Sequence, residues 1–275
     1  MKTLIYFFIF FPSIVLAQAQ VFPTRLTLTE EAPSSYLNLK NTTASPQKYR
    51  IELAQYLMKK DGTVAKANVE NNPLTEVLKF SPKVVELAPN EKQVVRVMAT
   101  AFDDLTDGDY YVYLHFIPES GSASSSPTKA KFSLQARIAV AVPVVVRHGT
   151  AKVDGKLTEL KAANVKNGDL EVTFKIANST KYFLTGNLDI IGVTDKGETV
   201  LSQTIGITSY IPSRTVKTSV TTKDVAEKLN GESLKKVKVK FASNENSGTT
   251  FELLGEATID SSSSAKKTKK VSKQR

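Results

Sequence analysis

The chain has 275 residues, a formal net charge of +10 at pH 7, and neither cysteine nor tryptophan. Without cysteine, a disulfide framework, a thiolate nucleophile and a zinc site of the cysteine type are excluded. A hydrophobic share of 41% is enough for one large domain or two domains of ordinary size.

The first residues predict export from the cytoplasm. Lys2 precedes an apolar stretch over residues 4–16, and the small-residue sequence AQA follows at 17–19. The apolar stretch is shorter than the roughly 20 residues of a membrane-spanning helix. We therefore predict a signal peptide over residues 1–19, cleaved before Gln20, and no integral membrane segment in the mature protein.

Much of the positive charge lies at the C-terminus, where SSSSAKKTKKVSKQR contains six cations and no acidic residue. Residues 261–275 are predicted to be a disordered Ser/Lys-rich tail. The rest of the mature chain is close to charge balance, and together with export this argues against a nucleic-acid partner. Attachment of the tail to an anionic envelope surface leaves open an alternative function, that of a secreted or periplasmic structural or adhesive protein.

Short apolar or alternating segments fill the chain between signal and tail, among them YRIELAQYL, DYYVYLHFI and KFSLQARIAVAVPVVV. Turn residues separate these segments, and the best helix candidate is residues 221–231. Strands at this spacing, without intervening helices, indicate antiparallel sandwiches rather than a parallel sheet.

A weak internal repeat indicates two sandwiches in tandem. Residues 37–53 and residues 172–190 both read as strand, Asn-Thr/Ser-Thr, turn and strand. Such side chains bond to nearby backbone and suit a corner, although both triplets also fit the glycosylation pattern. We favour the corner and predict an all-β protein of two tandem immunoglobulin-like β-sandwiches.

The boundary between the two domains is expected after the long apolar strand that ends at Val146. A polar connection is predicted to begin with Arg147. We therefore assign residues 20–147 to the first domain and residues 150–260 to the second.

No residue pattern in the chain indicates an enzyme. His115 shares a strand face with aromatic residues and lacks the partner that a general base needs. The acidic residues of FDDLTDGDY lack the spacing of a calcium loop and are predicted to form a solvated turn. The chain has no phosphate loop, dinucleotide fingerprint or nucleophile motif. We predict no catalytic residue, no metal site and no cofactor.

The segment KFSPKVVELAPNEKQVVRVM, residues 79–98, has two apolar strands around a proline turn and predicts a hairpin-like unit. It resembles the signature of periplasmic pilus-assembly chaperones, and Thr24-Arg25 and YLNLKN resemble the family's first strand and next corner. The signature matches at Pro82, Leu87, Pro89, Gln93, Val95, Arg96 and Val97.

This resemblance implies a function as well as a fold. Members of the family are boomerangs of two immunoglobulin-like domains in the periplasm. They bind pilin-type subunits that lack a strand and deliver them to an outer-membrane usher. The last strand of the first domain is lent to the subunit, and its alternate apolar side chains fill the subunit's groove. In this chain the resemblance assigns that role to Ala130, Phe132, Leu134 and Ala136.

The family also uses a basic pair to hold the C-terminal carboxylate of the subunit. Arg25 matches the first cation, and its planar guanidinium suits a carboxylate. Ala139 stands where the second cation, a lysine, is expected, and Arg137 is the nearest cation with the same strand parity. Either Arg137 replaces the lysine, or this protein does not use a two-cation anchor.

Overall fold

The computed structural model describes residues 19–119, 137–164, 169–197, 199–221 and 234–260. Its strands surround two separate apolar cores, which confirms the predicted all-β fold of two immunoglobulin-like β-sandwiches. In the described part of the chain, no helix combines the length and the apolarity of a membrane span. Almost all of the expected signal peptide and helix, and the whole expected tail, lie outside the described residues.

Ten strands of the described residues form the first domain, with a short helix α1 at Leu74–Val77 and a 3-10 turn at Phe102–Asp104. Alternate residues of these strands are apolar and face the core, which is the pattern that an extended chain requires. The strands are β1 (Ala19–Phe22), β2 (Leu26–Leu28), β3 (Ser34–Asn41), β4 (Gln47–Met58), β5 (Val64–Ala67), β6 (Leu78–Ser81), β7 (Val84–Leu87), β8 (Lys92–Ala99), β9 (Gly108–Pro118) and β10 (Val140–His148).

The strands of the first domain form two sheets that pack face to face. One sheet has the order β1-β3-β8-β6, and the other has the order β2-β10-β9-β4-β5, with β7 also paired to β4. β2 runs parallel to β10, whereas β9 runs antiparallel to it. Fully buried side chains such as Leu39, Val97 and Phe116 fill the space between the sheets.

The two strands of KFSPKVVELAPNEKQVVRVM lie in different sheets, so the prediction of a hairpin-like unit is wrong. β7 pairs with β4, whereas β8 pairs with β3 and β6. The turn between them crosses from one sheet to the other, and Asn90 adopts a left-handed conformation there, with φ of 64°. Asparagine tolerates this conformation better than most residues. Each strand therefore buries its alternate residues from its own side of the core.

Seven strands of the described residues form the second domain. Antiparallel β11, β12 and β15 make one layer, antiparallel β13, β14, β16 and β17 make the other, and a short parallel contact of β11 with β17 joins them. Side chains of both layers, including Phe174 and Phe241, form the core. The strands are β11 (Gly155–Asn164), β12 (Leu170–Asn178), β13 (Leu184–Thr194), β14 (Thr199–Ser209), β15 (Ser213–Val220), β16 (Leu234–Ser243) and β17 (Glu252–Asp260).

Both Asn-Thr/Ser-Thr triplets form corners between strands, as predicted. Asn41 is fully buried, and its Nδ2 donates to three backbone oxygens at distances of 2.8, 3.1 and 3.1 Å. Asn178 is also buried, and its Nδ2 donates to the backbone oxygen of Tyr182 at 2.6 Å. Because both side chains are used in folding, the corner interpretation is confirmed for the two copies, and glycosylation of these asparagines is disfavoured.

The long strand that closes the first domain continues past Val146, the residue at which we expected it to end. β10 runs from Val140 to His148, and Arg147 is only 6% exposed. The expected polar connection at Arg147 is therefore wrong. Arg147 is buried within the strand because its guanidinium is paired with the buried carboxylate of Asp109.

Candidate functional site

A buried ion pair joins the end of β10 to the start of β9. Arg147 donates from Nε to Asp109 Oδ1 and from Nη2 to Asp109 Oδ2, both at 2.7 Å. The side chain of Asp109 has no exposed surface. Two parallel charge-assisted bonds fix the orientation of both groups as well as their distance. The expectation of a solvated acidic turn is therefore wrong for Asp109, because this carboxylate points inward to Arg147.

The second domain closes over this ion pair. Phe183 N donates to Asp109 Oδ2 at 2.8 Å, and Asp109 N donates to the Lys181 backbone oxygen at 3.1 Å. Tyr182 Oη donates to the His148 backbone oxygen at 3.1 Å. These three residues of the second domain directly follow its Asn-Ser-Thr corner. The corner thus places them against the first domain, and the ion pair lies at the junction of the two domains.

Arg25, the first residue expected to bind a carboxylate, also lies at this junction. Its Nη1 donates to Thr208 Oγ1 at 2.9 Å and to Tyr210 Oη at 3.2 Å, and its guanidinium lies 5.5 Å from the centre of the Tyr210 ring. Its Nε and Nη2 are buried without a hydrogen-bond partner among the described residues. Because buried N–H groups without an acceptor are costly, this edge of the guanidinium would gain from an incoming acceptor.

Aromatic side chains lead from the β9 sheet to the same junction. Tyr56 and Tyr113 have ring centres 5.3 Å apart, and Tyr113 and Tyr111 have ring centres 6.1 Å apart. Tyr111 stacks on Tyr210 of the second domain at 4.2 Å. Burial, followed by the neighbouring tyrosines, raises the pKa of Tyr113, so its hydroxyl stays protonated at pH 7. These rings form a continuous, uncharged surface.

His115 lies at the outer end of this aromatic series. Its ring centre is 5.3 Å from that of Tyr56. Burial, and then the charge of Lys66, lowers the pKa of His115, so the imidazole is neutral at pH 7. Among the described residues, no group of three His, Cys, Asp or Glu side chains could hold a metal ion.

The two arginines that we expected to share one carboxylate each lie just before a strand, Arg25 before β2 and Arg137 before β10. β2 pairs with β10 from Leu26, opposite Val144, to Leu28, opposite Val146. Arg137 is exposed and precedes the start of β10, so it does not lie on the strand where we expected it. Whether the two guanidinium groups share one carboxylate stays a prediction.

One edge of β10 is open next to this junction. β9 pairs with β10 from Val140 to His148, whereas β2 covers the other edge only from Val144 to Val146. Residues 140–143 have no strand partner on that second edge among the described residues. An unpaired edge of this kind is a template for a further strand.

Ile138 extends the apolar alternation of β10 beyond the core. It has the same parity as Val142, which is buried in the first domain, but it is itself 51% exposed. Ile138 is not among the residues predicted to enter a subunit, although the same strand parity includes it. The four side chains expected to enter a subunit lie outside the described residues: Ala130, Phe132, Leu134 and Ala136.

A pocket of about 470 Å³ lies between the domains beside the junction. Its lining includes Tyr111, Phe183 and Tyr210, together with the amides of Gln55 and Asn72. Asn72 Nδ2 donates to Gln55 Oε1 at 2.7 Å, so these two amides hold each other in place. The pocket thus combines aromatic rings with amide side chains in a concave surface, which is suited to holding a segment of another chain.

The chain is similar to one known protein family and to several solved structures. Residues 18–147 match the pili and flagellar-assembly chaperones over the PapD N-terminal domain. A structure of a chaperone-tip adhesin complex of CFA/I fimbriae biogenesis is 12% identical, with 86% of this chain and 98% of that chain covered and a TM-score of 0.49. The class 5 fimbriae chaperone CfaA is 11% identical over 86% of this chain and 98% of its own, with a TM-score of 0.48.

A third structure, of a Salmonella enterica SafA pilin in complex with the SafB chaperone, is 14% identical over 87% of this chain and 96% of that chain, with a TM-score of 0.45. No curated protein sequence matches the chain.

The fold and the junction define a two-domain immunoglobulin-like protein whose first domain ends in a strand with an open edge. Through that first domain, the chain is similar to the pili and flagellar-assembly chaperones, whose PapD N-terminal domain matches residues 18–147. This match agrees with the resemblance seen in residues 79–98.

Proposed function

We propose that the protein is a periplasmic chaperone that lends a β-strand to pilus or fimbrial subunits lacking one. In this proposal the chain is exported, its signal peptide is cleaved before Gln20, and the bound subunit is delivered to an outer-membrane usher. The family of the first domain supports the chaperone role. The compartment follows from that family and from the export signal in the sequence.

The observation that carries strand lending is the open edge of β10. Residues 140–143 lack a strand partner on one side among the described residues, and Ile138 exposes an apolar side chain just before them. A subunit strand can pair with that edge through backbone hydrogen bonds, while alternate apolar side chains enter the subunit's groove. Ala130, Phe132, Leu134 and Ala136 continue this parity toward the N-terminus, so we assign them, with Ile138, to the subunit's core.

The test of strand lending uses charged substitutions on the lending face. Phe132→Asp/Leu134→Asp should abolish capture of a fimbrial subunit that lacks its own last strand, because a carboxylate would be buried in an apolar groove. Ile138→Asp should weaken capture. Leu254→Asp is the matched control, since Leu254 is 68% exposed in the second domain. Co-purification from the periplasm gives the measurement, and capture by the double variant at the unmodified level would refute strand lending.

Arg25 is proposed to hold the subunit's terminal carboxylate. Its Nε and Nη2 lack partners among the described residues, and its Nη1 is already held by the second domain. A charge-assisted bond contributes roughly 1.5–3 kcal/mol, so Arg25→Ala should weaken binding of a free C-terminal peptide about ten- to a hundredfold.

Amidation of the peptide separates this role from a structural one. Arg25→Ala should have little effect on an amidated peptide, because the charge that Arg25 would bind is absent. Arg137→Ala tests whether the second expected cation takes part, and it should show the same dependence on the terminal charge if Arg137 replaces the missing lysine. An equal loss for free and amidated peptides with Arg25→Ala would show that Arg25 supports the domain junction only.

A further inference from the structure

The outer face of the four-stranded sheet combines exposed cations with exposed apolar side chains. This basic face, as we call it, consists of Lys40, Lys92, Arg96, Phe22, Tyr36 and Val94, which all point away from the core. It lies on the sheet opposite β10, so a partner here would not compete for the open strand edge. No outward-facing position of these four described strands carries an acidic residue.

The cations of this face have no acidic partner among the described residues, unlike those of the second domain. Lys40 lies directly opposite Lys92 on neighbouring strands. Like charges in this arrangement destabilise a sheet. In the second domain, by contrast, Lys238 lies opposite Glu256, and Lys236 contacts the same carboxylate at 2.8 Å. The like-charge pair therefore costs stability that an acidic group bound between the two lysines would restore.

The basic face is ordered in rows across its strands. Lys40 and Lys92 form one row, and Phe22 and Val94 lie in the next row on either side of Asn38. Tyr36 and Arg96 form the third row. Successive rows are two residues apart along each strand, which is about 6.6–6.8 Å. The side chains at positions i, i+2 and i+4 of an extended peptide repeat at the same distance.

A pocket lies in the first two rows. It has a volume of about 370 Å³ and is lined by Gln20, Phe22, Asn38, Lys40 and Lys92. Phe22 supplies an apolar wall and is 66% exposed, while the two lysines supply the charge. The pocket can thus bind a small apolar group next to a carboxylate. A short peptide segment can supply both groups from neighbouring side chains.

We infer that the basic face docks an extended acidic segment of a partner protein, with carboxylates at i and i+4 and an apolar side chain at i+2. The carboxylates lie over the Lys40–Lys92 row and over Arg96, and the apolar side chain lies against Phe22 and Val94. The spacing of the rows favours a peptide over an anionic membrane, because the apolar row lies between two cationic rows and Asn38 places an amide at its centre.

The test uses a capped peptide with Glu at i and i+4, Leu at i+2 and Ser or Thr elsewhere. A control peptide has the same composition with Glu, Glu and Leu consecutive. Titration of the isotope-labelled full chain by NMR at low salt should shift the amides of Lys40, Lys92 and Val94 with the first peptide, and the control should bind more weakly. About 0.5 M salt should abolish most of this binding, since exposed charges are screened.

Charge reversal then identifies the residues involved. Lys40→Glu/Lys92→Glu should weaken peptide binding about tenfold or more, because attraction becomes repulsion at the same positions. The matched control is Lys152→Glu/Lys156→Glu, two exposed lysines of the second domain with the same change in net charge. Thermal unfolding of each variant checks that the fold is kept.

Three results would overturn the inference. The first is that Lys40→Glu/Lys92→Glu binds the peptide with unchanged affinity. The second is that the control peptide binds as tightly as the first peptide. The third is that the unmodified chain binds phosphatidylglycerol vesicles but not the peptide, and that Lys40→Glu/Lys92→Glu abolishes the vesicle binding. The last result would assign the face to a membrane surface.

Discussion

The two domains share a construction but treat surface charge in different ways. Each is a sandwich whose corner is held by a buried asparagine, Asn41 in the first domain and Asn178 in the second. In the layer of β13, β14, β16 and β17 in the second domain, lysines lie beside acidic residues, as in the contact of Lys240 with Glu252 at 2.5 Å. On the four-stranded sheet of the first domain, the cations have no acidic partner in the described part of the chain, and apolar side chains lie between them.

This difference indicates which domain pairs its surface charges within the chain and which leaves surface groups available to a partner. Exposed ion pairs satisfy the charges of the second domain within the chain itself. Within the described residues, the first domain has a cationic face without acidic partners and a strand edge without a strand partner, and such groups can be recognised by another protein. At the junction, the pair of Asp109 and Arg147 shows a third use of charge, since it is buried and orients the two domains.

The largest expected effect comes from breaking the buried pair. Arg147→Leu leaves Asp109 without its partner in a site that has no exposed surface. Removing one member of a buried pair costs roughly 3–5 kcal/mol of stability. Urea unfolding followed by circular dichroism measures this loss.

Two further variants test whether the loss of stability comes from the unpaired buried charge. Asp109→Leu/Arg147→Leu removes both charges and should recover much of the stability, because no buried charge is left unpaired. Lys236→Ala breaks only an exposed pair of the second domain and should leave the unfolding midpoint nearly unchanged. If Arg147→Leu proved as mild as Lys236→Ala, the pair would not hold the junction.

An intermediate effect on stability is expected at the equivalent asparagine corner of each domain. Asn41→Ala and Asn178→Ala each leave buried backbone groups without a partner, at a cost of about 1–3 kcal/mol. Asn41 should be the more sensitive, since its Nδ2 bonds to three backbone oxygens and that of Asn178 to one. Asn187→Ala, at an exposed asparagine, is the control for thermal unfolding. A larger loss at Asn178 would contradict the ranking.

The smallest effect concerns pH and separates the paired face from the unpaired one. A hydrogen bond and the charge of Lys236 lower the pKa of Glu256 below its ordinary value of 4.5. The folded state therefore favours the ionised carboxylate, and this stabilisation is present above pH 4.5 and is lost as the pH falls below it. The melting temperature of Lys236→Met should be slightly below that of the unmodified protein at pH 7, and the difference should shrink as the pH falls below 4.5.

Lys40→Met supplies the comparison for this measurement in the first domain. Lys40 has no acidic partner among the described residues, so its removal should cause no pH-dependent difference and should relieve the repulsion with Lys92. A loss of stability at pH 7 that disappears on acidification would show that Lys40 does have a carboxylate partner.

The local pattern of the sequence was enough to predict strands and corners. Alternation of apolar residues marks strands wherever one face is buried, and Asn-Thr/Ser-Thr marks the corners because these side chains bond to adjacent backbone. The local pattern also gave a wrong prediction of a hairpin for residues 79–98, because the sequence of a turn within one sheet resembles that of a turn between two sheets. The predicted end of the long strand at Val146 was wrong as well, because the polar Arg147 resembles the start of a loop.

The sequence by itself determined the fold class, the tandem organisation and the candidate residue Arg25, because these depend on periodicity and on short motifs. Only the tertiary structure decided that Asp109 meets Arg147, that Leu26 pairs with Val144, and that the cations of the basic face lie on one surface. The physical reason is that pairing between strands distant in the chain sets each register, and a shift of one residue would turn every side chain to the opposite face.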